Sequence, residues 1–166
     1  MNELLPVIVG GIIGVAGGVV GPVLLDMQQR RRERRNVTRA ILAEIRSILE
    51  IVRVRGYVEA IRELLTEGRK IPDDDVVLYY GFSVSFNPFA VYEANLDKIG
   101  LLQGDLASLI PQFYMQSQSI LEDIRTMNQQ KSPAFNLNES LAHLKSLLEL
   151  FESTAALGRR ILESAA

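Results

Sequence analysis

The residues from Leu4 to Leu25 include no Asp, Glu, Lys or Arg, and no hydroxyl, amide or imidazole side chain either. As a helix this run of 22 residues rises by about 33 Å, enough for a hydrocarbon core of about 30 Å. The stretch is therefore read as a membrane span. Its flanks argue against a cleaved signal peptide, which carries its positive charge before the apolar region. Here the preceding residues are Met-Asn-Glu, and the basic residues follow, at Arg30, Arg31, Arg32, Arg34 and Arg35. The positive-inside rule then places the N-terminus outside and everything after Asp26 in the cytoplasm.

Six of the chain's 12 glycines lie in this apolar run. Glycine is a poor helix former in water. In lipid, however, helices associate by close backbone approach, and small residues permit it. Gly10, Gly14 and Gly18 recur every fourth residue and form one small-residue ridge, and Gly17 and Gly21 repeat the spacing on a neighbouring face. Bulky Ile12, Ile13, Val15, Val19 and Val20 occupy the other side. The pattern predicts a homo-oligomeric span, with Pro22 as a kink site. The span has no polar side chain to line an ion pathway.

Charge changes sign along the rest of the chain. Asp26 to Arg55 holds nine arginines against four acids, whereas Gly56 onward holds nine basic and fifteen acidic residues. The Arg-rich end is thus expected at anionic headgroups, each charge contributing about 1 kcal/mol. The position of the cluster accounts for it without nucleic acid, and no aromatic residue is interleaved with it. The chain has no cysteine, hence no disulfide framework and no thiolate metal site. That suits a reducing compartment.

The expected organisation is a membrane anchor over 1–26, a basic juxtamembrane segment over 27–36 and a helical bundle over 37–166. The fold class is all-α: an antiparallel bundle of three long helices and one short one, standing on the span. Ile41, Ile45, Ile48, Leu49, Val52, Tyr57, Ile61, Leu64 and Leu65 trace a helical stripe from Val37 to about Glu67, interrupted only by Gly56 as a weak point. Asp73, Asp74 and Asp75 lack the glycine and the ligand spacing of a calcium loop and read as a solvated turn. Val76–Phe86 is the one β-rich stretch, a short hairpin or an extended cover. Asn87 as cap, Pro88 in the first turn and Gly100 as stop predict a short helix from Pro88 to about Ile99. A third helix runs to about Asn128. Asn136 and Glu139 are spaced as a capping pair for the last helix. That helix carries a seam at Leu137, Leu141, Leu144, Leu148, Phe151, Ala155, Gly158 and Leu162, a coiled-coil pattern expected to pack lengthwise against a neighbour.

At Val91–Tyr114, the residues Tyr92, Asn95, Leu96, Gly100, Leu101, Leu102, Ile110, Phe113 and Tyr114 resemble a pattern found in short, uncharacterised bacterial proteins with one N-terminal span and a helical cytoplasmic part. The resemblance implies a bacterial inner-membrane setting and no activity. For Tyr92, Asn95 and Tyr114 two readings stand side by side: packing at a helix–turn–helix corner, or a small polar surface for a partner.

Catalytic chemistry finds little footing. His143 is the sole histidine, one turn after Glu139, and the glycines after the span are isolated, so neither a nucleophile–base pair nor a phosphate cradle is indicated. No cofactor and no metal are expected. The function expected is that of a membrane-anchored interaction and oligomerisation module, touching lipids, other copies and an unidentified protein partner. The alternative is a membrane-perturbing effector, of phage-defence or toxin type, whose bundle restrains the span.

Overall fold

The computed structural model describes residues 4–71, 87–129 and 136–165, with side chains except at 4–21 and 128–129. Among the described residues the protein is all-α, with no strand. The expectations for Asp73–Asp75 and Val76–Phe86 fall outside the described residues. The helices are α1 (Leu4–Val54), α2 (Tyr57–Gly68), α3 (Ala90–Glu93), α4 (Leu106–Gln129) and α5 (Leu137–Ser164), with a 3-10 helix at Leu96–Leu101 between α3 and α4.

The chain divides into two units, Met1–Arg39 and Ala40–Ala166. The described residues of the first all belong to α1. Its apolar stretch is helical and the helix runs through Pro22. Among the described residues no helix is long and apolar enough to cross a membrane. The side chains of 4–21, most of the expected span, lie outside that description.

The second unit holds the core. The stripe that predicts a single helix to Glu67 is cut at Gly56, which adopts the left-handed conformation at φ 63° and ψ 30°. Only glycine enters that region without a steric cost. The break lets α2 bring Ile61 and Leu65 into one cluster with Ile120 and Ile124 of α4 and Leu144, Leu147 and Phe151 of α5. Each fully buried side chain of this size contributes about 1.5–3 kcal/mol.

Helix α5 starts where its cap predicts. The Asn136 side chain accepts from the Glu139 amide at 2.9 Å, and Glu139 Oε2 accepts from the Asn136 amide at 3.1 Å. The buried face of α5 is rotated from the expected seam, however. Ser140, Leu147, Thr154 and Ile161 are buried with Leu137, Leu144, Phe151 and Gly158, while Leu141, Leu148, Ala155 and Leu162 are half-buried at its flank. The reason is that α5 packs on both α4 and α2, so its apolar face is wider than a single seam. At Gly158 a Cβ would stand 2.8 Å from Phe113 Cε2 and 3.0 Å from Leu49 Cδ1. The small residue is thus used inside the unit, where α1, α4 and α5 converge. Phe113 lies against Gly158, and Gln116 beside Thr154. Residue numbers rise on one helix as they fall on the other, so α4 and α5 are antiparallel.

Pro88 to Ile99 is not one helix. The Asn87 side chain accepts from the Phe89 amide at 3.0 Å, but regular α-helix covers only Ala90–Glu93 before a 3-10 turn takes over. Gly100 lies inside that turn, and the left-handed glycine after it is Gly104, at φ 59°.

Candidate functional site

The residues singled out in Val91–Tyr114 gather around a carboxylate that lies far away in sequence. Glu44 sits on α1 between the buried Ile41 and Ile45. Its Oε1 accepts from the Val91 amide at 2.7 Å, and its Oε2 accepts from the Tyr92 amide at 3.0 Å and from the Tyr114 hydroxyl at 2.6 Å. The first amides of a helix have no intrahelical acceptor. In α3 the partner comes from α1 rather than from a local cap, since the Phe89 side chain has nothing to offer.

Aromatic rings enclose the carboxylate's third donor. Tyr92 and Tyr114 stack with centroids 3.8 Å apart and planes 9° from parallel. Phe89 and Phe113 meet Tyr114 edge-on, at 5.8 Å and 5.4 Å. Such pairs contribute about 0.5–1.5 kcal/mol beyond the area they bury. Tyr114 is 3% exposed. Burial first, then its hydrogen bond to Glu44, holds the phenol well above its ordinary value of 10.0. Burial likewise raises Tyr92. Both rings are therefore neutral at physiological pH, and Tyr114 serves as a hydrogen-bond donor, not as a base or nucleophile. Asn95, in the turn after α3, reaches back to that helix, its Nδ2 donating to the Val91 carbonyl at 2.8 Å. Of the three residues, Tyr92 and Tyr114 are brought into direct contact, and the buried Tyr114 hydroxyl is committed to Glu44.

Nothing in this chain matches a known protein-family model, a curated protein or a solved structure.

The remaining sequence candidates lie on α1. Arg30, Arg31, Arg32 and Arg35 are exposed and Arg34 is half-buried. Arg30 Nε pairs with Asp26 one turn earlier at 2.9 Å, with both side chains more than half exposed, a contact worth at most about 0.5 kcal/mol. Gly10, Gly14, Gly17, Gly18 and Gly21 all fall within α1, where their four-residue spacing places Gly10, Gly14 and Gly18 along one face. Among the described residues no cluster of His, Asp and Glu is arranged to hold a metal ion.

Glu44 is the residue that sequence reasoning passed over. The signal was there: it follows Ile41 by three and precedes Ile48 by four, which puts it on the apolar stripe rather than opposite it. A carboxylate at such a position needs partners, and only the fold shows which ones it finds.

Proposed function

We propose that the protein is a membrane-anchored helical interaction module. Leu4–Leu25 spans the bilayer, the arginines from Arg30 to Arg35 engage anionic headgroups on the cytoplasmic side, and the 40–166 bundle presents a surface to a protein partner. Copies associate through the Gly10–Gly14–Gly18 ridge, and the setting suggested by the sequence resemblance is a bacterial inner membrane.

One observation carries this reading. At the end of the uncharged stretch Val23, Leu24 and Leu25 are 52%, 54% and 67% exposed, and Met27 is 47% exposed. Consecutive helical residues point about 100° apart, so these side chains face outward round most of the circumference. A helix that is apolar on all sides belongs in lipid or in the middle of a large core. Directly behind it come the arginines, whose long side chains suit the headgroup layer. Anchoring raises the local concentration of the bundles, so that weak lateral contacts between them become effective.

The test is alkaline carbonate extraction of membranes from cells producing the full-length chain, together with a reporter active only in the cytoplasm fused after Ala166. The chain is expected to stay in the pellet with the reporter active. Full recovery in the aqueous fraction would overturn the anchor, and a silent reporter on membrane-retained protein would overturn the orientation.

A further inference from the structure

Between α1, α2 and α5 of the 40–166 unit lies a cleft of about 590 Å³, within the size range of small-molecule sites. Its floor is hydrocarbon, from Leu49 and Val52 of α1, Val58 of α2 and Leu162 of α5. Its rim carries four arginines and three glutamates. These charges are not evenly matched. Glu50 is within a turn of both Arg46 and Arg53, and it accepts from Arg53 through both oxygens, at 2.6 and 2.9 Å. Arg62 takes the other two carboxylates, pairing with Glu152 and, at 3.8 Å, with Glu59. Every acid on the rim is thereby engaged. Arg46 and Arg159 line the same cleft and, among the described residues, form no ion pair or side-chain hydrogen bond.

The two unpaired arginines stand at one end. Leu49 rests against Gly158, where an added Cβ would be 3.0 Å from Leu49 Cδ1. Farther along, Tyr57 meets Phe151 with ring centroids 6.2 Å apart, so residue numbers rise on one side of the cleft as they fall on the other. Arg46, one turn before Leu49, and Arg159, next to Gly158, therefore flank the same contact. Arg53 and Glu152 each lie seven residues from them, about 10.5 Å along a helix, and Arg62 is beside Glu152. The paired charges occupy the other end.

We infer that the cleft binds an amphiphilic phosphate monoester, its phosphate between Arg46 and Arg159 and its hydrocarbon chain on the Leu49–Val52–Val58 floor. The head follows from the donors. A guanidinium fork takes two oxygens, so one arginine fills a carboxylate. A phosphate monoester has three terminal oxygens and a charge of about −1.5 to −2 at neutral pH, enough for two forks. Glu59 and Glu152 repel an anion from the far end, which fixes the direction in which the ligand lies. The chain follows from the floor, whose apolar surface a bare phosphate ion would leave in water. The site rests on the 40–166 unit alone and is independent of the membrane reading.

The probe is hexyl phosphate, titrated at known free concentration into the full-length chain in uncharged maltoside detergent, with leucine and valine methyl groups followed by NMR. The methyls of Leu49, Val52, Val58 and Leu162 are expected to shift saturably, and those of Leu144 and Leu147, which do not line the cleft, to stay in place. Inorganic phosphate, hexanol and hexanoate each lack one part of the ligand and are expected to bind at least about tenfold more weakly. Arg46→Gln and Arg159→Gln are each expected to weaken hexyl phosphate about fivefold, the upper range for an exposed charge. Arg125→Gln, an exposed arginine away from the cleft, is expected to leave the affinity unchanged. Absence of saturable shifts at the four floor residues, or hexanol or inorganic phosphate binding as tightly as hexyl phosphate, would overturn the inference, and none of these comparisons needs a variant to fold. Unchanged affinity in a folded protein carrying both Arg46→Gln and Arg159→Gln would overturn the role of the arginines. Phosphatidylcholine nanodiscs containing phosphatidic acid separate the sources of such a ligand. Shifts of the same methyls with the lipid itself would support a membrane phosphomonoester, and shifts with hexyl phosphate alone a soluble one.

Discussion

Tyr114 donates its phenolic hydrogen to Glu44 across 2.6 Å, linking α4 to a carboxylate on α1 that is 70 residues earlier in the chain. The same carboxylate takes the amides of Val91 and Tyr92. Removing it therefore strands three donors at once. Glu44→Ala is expected to destabilise the protein by about 2–4 kcal/mol, and Tyr114→Phe by about 1 kcal/mol. Chemical denaturation of the two single variants and the double variant would give a coupling energy of about 1 kcal/mol. A coupling near zero would show that the hydroxyl–carboxylate contact contributes nothing.

Alkaline pH should weaken the same place. The phenol of Tyr114 is held above 10.0 in the folded protein and returns to about 10 when unfolded. Above that pH the unfolded chain releases a proton that the folded one keeps, so stability is complete below pH 10 and falls as pH rises further. Each pH unit beyond it is expected to cost about 1.4 kcal/mol for Tyr114 alone. Unfolding midpoints between pH 8 and 11.5 would show the slope, and Tyr114→Phe should flatten it.

Gly158 separates two effects that usually run together. Alanine is favoured over glycine in a helix by about 1 kcal/mol. Its Cβ would nevertheless meet Phe113 Cε2 at 2.8 Å, on a ring that is fully buried. Overpacking costs about 1–3 kcal/mol, so Gly158→Ala is expected to lower stability by about 1 kcal/mol despite the better propensity. A raised melting temperature would mean that the ring yields easily.

The glycines of the apolar stretch call for a different readout. Gly14→Leu combined with Gly18→Leu is expected to weaken self-association several-fold while leaving membrane insertion intact, since bulk on the ridge separates the backbones. In-membrane crosslinking compares the two proteins directly. Equal oligomer yield would remove the ridge as the contact.

What the sequence makes legible here depends on the reach of each interaction. The Asn136–Glu139 cap is correct to the residue because both partners lie within one turn. The all-α class follows from periodicity, which is also local. Gly56 is recognisable as a weak point, but periodicity cannot tell a weakened helix from a broken one. The break is decided by Ile61 and Leu65 finding Ile120, Leu144 and Phe151. The seam on α5 is displaced for a similar reason, since a single-sequence pattern does not reveal that two helices cover it. Glu44 is the residue least visible beforehand. A polar group's significance rests on what surrounds it, and at Glu44 the surroundings come from segments tens of residues away.

The order of synthesis gives the Glu44 contacts a further meaning. When Glu44 leaves the ribosome its acceptor oxygens are hydrated, and Val91, Tyr92 and Tyr114 have yet to be translated. Ile61 and Leu65 likewise wait for α5 before they can leave water. No early part of the bundle is self-sufficient, so the nascent chain must carry unburied hydrocarbon until α5 has been made. Apolar surface left in water over such an interval is what makes a folding chain prone to aggregation.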